Sequence, residues 1–98
     1  MGGFKLTRKA REDLKSIAIY TQKKWGKNQR VIYIKQFDDA FHMLTKKPDT
    51  GKPCDYIKPG YRKFPNSSHL IFYREISDNY SEIVRILHKR MDVEQELA

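Results

Sequence analysis

In the stretch DYIKPGYRKFPNSSHLIFYREI, residues 55–76, Arg62, Lys63, His69, Tyr73 and Arg74 bring together cations, an imidazole and a phenol, groups able to bind phosphate and move protons. Short apolar runs broken by PNSS predict that all five fall on one β-hairpin. Such a set is the equipment of a metal-free ribonuclease. RNA cleavage without a metal needs an activated 2′-hydroxyl, charge to stabilise the phosphate, and a proton for the leaving 5′-oxygen. Arg62, Lys63, Arg74 and, further on, Arg85 are candidate charges. His88, at the end of the last apolar run, is a candidate proton donor because imidazole titrates near neutrality.

Each of these residues also has a plainer reading. Arg85 falls between Ile83 and Leu87 on one strand face and can pair with Glu75 or Asp92. His69 can hydrogen-bond a turn, His88 can pack at a strand end, and His42 can lie on a helix surface. Trp25 and Tyr33 suit helix packing, and Cys54 is an ordinary loop thiol. Three His and one Cys without short paired spacing give no zinc signature, so neither a metal nor a cofactor is expected.

The elements that must position these residues follow from period. Phe4 and Leu6 alternate with Lys5 and Thr7, a short strand. Thr7 is placed to cap a helix, with Glu12 and Asp13 near its positive end. Ala10, Leu14, Ile17, Ala18, Thr21 and Trp25 form one apolar helical face, ended by Gly26. Asn28 can open a second helix, with Val31, Ile34, Phe37, Phe41 and Leu44 as its stripe and Pro48 as its stop. Residues 7–47 therefore read as a helical hairpin. Residues 48–60 read as a loop, YRKF, HLIFYREI and SEIVRILH as strands, and Asp92 with Gln95 as the cap of a short terminal helix. Ile83, Val84, Ile86 and Leu87 make the last strand apolar on both faces, hence internal to its sheet. The order β-α-α-β-β-β describes an α+β fold, a helical hairpin on a small antiparallel sheet, in a single domain spanning residues 1–98.

Composition bounds the rest. A chain of 98 residues buries enough surface for one modest core and not a second. Twenty Lys and Arg against twelve Asp and Glu give a net charge of +8, a field that attracts polyanions or acidic proteins without choosing among them. No helix-turn-helix, RNP-type aromatic pair or GxxG loop supports direct nucleic-acid binding. The N-terminus MGGFKLTRKA has no apolar run of signal-peptide or membrane-spanning length and no myristoylation motif, and the one cysteine cannot form an internal disulfide. A cytoplasmic protein without a membrane partner is expected.

Several phrases taken together resemble one family. LTRKAREDLKSIAIYTQKKWG, IYIKQFDDAF, KPDTGKPCDYIKPGYRKF, HLIFYREI and IVRILHKRMD, in this order, are similar to the ParE toxins of the RelE/ParE toxin–antitoxin superfamily. The resemblance implies a RelE/ParE-like fold and the toxin of a type II toxin–antitoxin system. It implies a protein that inhibits DNA gyrase through the A subunit and blocks DNA replication. An acidic, partly disordered ParD-like antitoxin would neutralise it by folding along the helical hairpin in a hetero-oligomer. The alternative within the superfamily is a ribosome-dependent mRNA endonuclease of the RelE type. Ribonuclease relatives typically finish with an aromatic residue. Here nothing aromatic follows Tyr80, and the tail KRMDVEQELA brings carboxylates to where phosphate would approach. A non-enzymatic inhibitor without catalytic residues is therefore expected.

Three sets of contact residues follow. Arg85, His88, Lys89, Arg90, Met91, Asp92 and Val93 are candidates for the target contact, because Met91, Val93 and Leu97 are apolar yet follow the last strand. Arg62, Lys63 and Arg74 form a basic hairpin set. Ile19, Ile32 and Tyr33, outside the main stripes, are candidates for the antitoxin groove.

Overall fold

The structure is a computed structural model and describes residues 3–97. Strand β1 (Gly3–Leu6) leads into helices α1 (Arg8–Trp25) and α2 (Lys27–Lys46). A 3-10 turn (Pro48–Thr50) and strands β2 (Lys52–Pro53), β3 (Arg62–Asn66), β4 (His69–Ser77) and β5 (Tyr80–His88) follow, then helix α3 (Val93–Leu97). The five strands form one sheet in the order β1-β5-β4-β3-β2. The expected α+β architecture is present, with two differences in the sheet. A two-residue strand, β2, sits inside the expected loop. The sheet is also mixed, because β1 runs parallel to β5. Tight turns at residues 67–68 and 78–79 force the later strands antiparallel, with Ser67 (φ 53°) and Asn79 (φ 55°) left-handed. Two helices separate β1 from the other strands, so no tight turn dictates its direction.

Thr7 caps α1 as expected, its hydroxyl accepting from the Ala10 N–H at 3.0 Å. Glu12 and Asp13 fall just past the first turn rather than within it. A single residue, Gly26 (φ 96°), links the helices, so Asn28 lies inside α2 and caps nothing. The buried positions of α2 start at Phe37, leaving Val31 exposed. Thr21 is the last buried residue of α1, and Trp25, one turn beyond it, is 64% exposed. The expectation that Trp25 packs between elements does not hold.

The helices cover one sheet face, where Ala10, Ile17, Phe37, Phe41 and Leu44 meet Ile71, Tyr73, Ile83 and Ile86. The expectation of one core is corrected by a second cluster on the opposite face: Cys54, Phe72, Leu87 and Leu97, with Tyr61, Val84 and Val93 against them. A central strand apolar on both faces needs cover on both. The loop after β2 and the terminal helix supply it.

In the β4–β5 pairing Phe72 faces Arg85 while Tyr73 faces Ile83, so Val84 is an extra residue in a bulge. The bulge breaks simple alternation, and Ile83 and Leu87 end in different clusters. Arg85 does not sit between them on one face. The buried Tyr73 hydroxyl donates to the Pro48 carbonyl at 2.6 Å and accepts from the Gly51 N–H at 2.8 Å. It thereby ties the chain leaving α2 to the middle of the sheet. Among the described residues no helix is long and apolar enough to cross a membrane.

Candidate functional site: a cleft between the tail and the basic hairpin

After His88 the chain turns sharply. Lys89 N–H donates to the Ser68 carbonyl at 2.9 Å, and Met91 N–H to the His88 carbonyl at 3.0 Å. Asp92 then caps α3, its Oδ1 accepting from the Gln95 N–H at 3.3 Å. This cap turns Val93 and Leu97 inward against the second cluster and leaves Met91 47% exposed. Of the expected target contacts, Lys89, Arg90, Met91 and Asp92 are exposed, while Val93 and His88 are half-buried.

Arg85 belongs elsewhere. Its guanidinium grips Asp13 of α1 through Nε at 2.7 Å and Nη2 at 2.9 Å, and Nη1 reaches the Glu96 carbonyl at 3.3 Å. The side chain is only 14% exposed. The expected partners, Glu75 and Asp92, are not the ones used, and Arg85 as a contact for an outside partner is corrected. It clamps α1, β5 and α3 together.

The tail and part of the basic hairpin meet at a cleft of about 280 Å³ on the second sheet face. Leu70 and Phe72 contribute to its lining from β4; Tyr56 and Lys63 do so on one side, Met91 and Asp92 on the other. The Lys63 ammonium donates to the Tyr56 hydroxyl at 3.1 Å and lies 5.8 Å from the centre of that ring. Tyr56 is among the exposed large hydrophobic residues. Lys63 and Met91, 28 positions apart in the chain, thus border one concavity. Arg62 and Arg74 do not join them. Arg62 donates to the Gly51 carbonyl at 2.7 Å, and Arg74 pairs with Glu82 at 2.8 Å. Cys54, expected as an ordinary loop thiol, is fully buried in the cluster behind the cleft, and burial pushes its pKa up.

The imidazoles lie on the helix face. His69 shares a hydrogen bond of 2.8 Å with the Tyr33 hydroxyl and packs edge-on to Phe37. It is a packed histidine rather than the turn hydrogen-bonder expected. His69 pairs directly across the strands with His88, their ring centres 5.3 Å apart. Burial, and then the neighbouring His88, lowers the His69 pKa, with Asp13 opposing. The sheet therefore stands between the imidazoles and Lys63. Among the described residues no group of three or more His, Cys, Asp or Glu is arranged to hold a metal.

Residues 4–93 match the family described as the ParE toxin of type II toxin–antitoxin system, parDE. The chain belongs to the ParE toxin family. It is 38% identical over 88 residues to the Mycobacterium tuberculosis protein Toxin ParE1, covering 90% of each chain. It is 32% identical over 98 residues to Toxin ParE1 of Caulobacter vibrioides, covering all of both. A solved structure titled "Chromosomal ParDE TA system from P. aeruginosa" superposes with a TM-score of 0.75 over 90% of this chain and 96% of that one. At 21% identity, that likeness shows the ParE fold alone.

On the outer face of this ParE-family hairpin, Ile19 and Ile32 are exposed, as a groove candidate must be. Tyr33 is corrected. It turns inward against Phe37 and His69, and burial pushes its phenol pKa up. Tyr20, outside the stripes, and Trp25 and Val31, which the stripes assigned to the packed faces, are also exposed apolar residues of the hairpin. Lys24 bridges the first two, 5.7 Å from the Tyr20 ring centre and 5.5 Å from that of Trp25. Beside them Ala18, Val31 and Ile34 border a shallow groove of about 540 Å³ flanked by Arg30 and Lys35, with Asp38 at its margin. A sequence signal for this face exists: no Asp or Glu occurs between Asp13 and Asp38, a stretch containing Lys23, Lys24, Lys27 and Arg30.

Proposed function

We propose that this ParE-family toxin is a non-enzymatic inhibitor of DNA gyrase that engages the enzyme, through its A subunit, at the cleft between Tyr56, Lys63 and Met91. A ParD-like antitoxin, folding along the basic, apolar outer face of the helical hairpin, neutralises it in the cytoplasm. The observation that carries the reading is the convergence of the exposed Met91 and the Tyr56–Lys63 pair on one concavity. A flexible thioether beside an aromatic ring suits an adaptable protein contact.

The ribonuclease alternative needs acid, base and phosphate-binding charge around one reacting atom. In this molecule His69 packs beneath α2 with His88 beside it, Lys63 borders the cleft on the other face, and Arg62, Arg74 and Arg85 are each committed to protein partners. Asp92 and Glu94 on the cleft wall would repel phosphate. These placements support a docking surface. For the antitoxin, exposed Ile19, Val31 and Ile32 among basic neighbours favour an acidic amphipathic helix.

The test is a pair of surface variants, Tyr56→Ala and Met91→Ala, which remove exposed side chains and spare both cores. Both should fold, bind antitoxin as the parent does, and lose gyrase inhibition by at least roughly tenfold, as for an interface anchor. Unchanged inhibition in both would remove the cleft from the contact.

A further inference from the structure

The corner where β4 and β5 meet the tail contains a bond that only one protonation state of His88 can make. The register sets His69 opposite His88, with rings 5.3 Å apart at 82°. The Arg90 backbone N–H donates to His88 Nδ1 at 3.1 Å. A backbone amide can only donate, so this Nδ1 carries a lone pair, and the neutral ring has its hydrogen on Nε2. An imidazolium has N–H groups on both nitrogens. A proton on Nδ1 would therefore confront the Arg90 N–H, and the bond would be lost.

The surroundings sharpen this dependence. From β4 the ring faces His69, and a second positive charge directly across the strands would be repelled. From α2 the neutral Tyr33 and Phe37 lie against His69. Asp13 of α1 acts on His69 through space, but its carboxylate is already gripped by Arg85. The turn itself contributes the cations Lys89 and Arg90. Among the described residues, no carboxylate hydrogen-bonds to either ring. His69 is held low by burial, and its bond to the Tyr33 hydroxyl can survive in either protonation state because the hydroxyl donates or accepts. The sensitive bond is the one to Arg90.

We propose that His88 is a proton-operated latch on residues 89–92: neutral, it holds the Arg90 amide and fixes Met91 on the lip of the cleft; protonated, it lets that lip loosen while the sheet stays intact. Protonation of this one ring then disorders the proposed contact surface without unfolding the toxin.

Amide spectra and hydrogen exchange of the full chain between about pH 5 and 8, spanning the imidazole range, test this directly. The Arg90 amide should shift and lose protection by roughly tenfold, about the worth of one hydrogen bond, with the midpoint of the His88 ring signals. The amides of Ile71 and Phe72 should stay protected over the same range. His88→Asn places a non-titrating oxygen near the Nδ1 position, so its Arg90 amide should remain protected at every pH. An Arg90 amide indifferent to the His88 titration would overturn the proposal. So would the same pH response in His88→Asn, or simultaneous loss of protection at Ile71 and Phe72. If the variant does not fold, the titration of the parent protein decides alone.

Discussion

Asp13 and Arg85 together close a gap that the backbone leaves. Strand β1 pairs with β5 only as far as Leu6 opposite Ile83, and the chain then turns away into α1. Beyond that point the β5 edge would present unpaired groups. The Thr7 hydroxyl donates to the Val84 carbonyl at 2.7 Å, and Asp13 Oδ2 accepts from the Ile86 N–H at 3.0 Å while it accepts from Arg85. One carboxylate thus replaces a missing strand neighbour and neutralises a largely buried cation. Asp13→Ala should destabilise the fold by about 2–4 kcal/mol, because it strands both the guanidinium and the N–H. Denaturant titration checks this; a loss under about 0.5 kcal/mol would show the pair to be idle. Such a residue was visible in the sequence only as an acidic neighbour of a helix start. Its partner lies 72 positions away, whereas Glu75 and Asp92 were nearer candidates on the chain. Charge pairs at that separation are decided by folding, and no local pattern announces them.

At the scale of elements, the division of labour between the two sheet faces explains what the tail does. Apolar period revealed both long helices, and the two-faced strand revealed that β5 is internal. The second cluster was hidden for a physical reason. Its cover consists of a five-residue helix and a loop, neither long enough to show a period. Met91, Val93 and Leu97 looked alike as apolar residues beyond the last strand, yet Leu97 is buried and Met91 exposed. The Asp92 cap decides which way each points. Leu97→Ala should therefore cost about 2 kcal/mol, the low end for a buried leucine because a five-residue helix can shift to fill the space. Thermal unfolding reads it directly. No change in stability would mean that α3 is detached in solution. Cutting the chain after Arg90 would remove this cover as well as the proposed contact surface, so single surface substitutions separate the two roles more cleanly.

For the molecule as a whole, the sheet acts as a partition. One face and its helical hairpin form the main core and expose a basic, apolar outer surface; the other forms the smaller cluster and the cleft. The proposed antitoxin and gyrase contacts then fall on different sides of one small protein, and a net charge of +8 raises the rate at which an acidic partner arrives more than its final affinity. Fold does not separate this behaviour from RNA cleavage, since function resides in the site. The cleft was only half legible in the sequence: Lys63 and Met91 were named for separate reasons, and only the folded register brings them to one concavity. The most direct measurement is a paired assay of the purified toxin on gyrase supercoiling and on ribosome-bound messenger RNA. The account predicts that supercoiling is inhibited, that added antitoxin restores it, and that the messenger stays intact. Cut messenger with supercoiling untouched would contradict it.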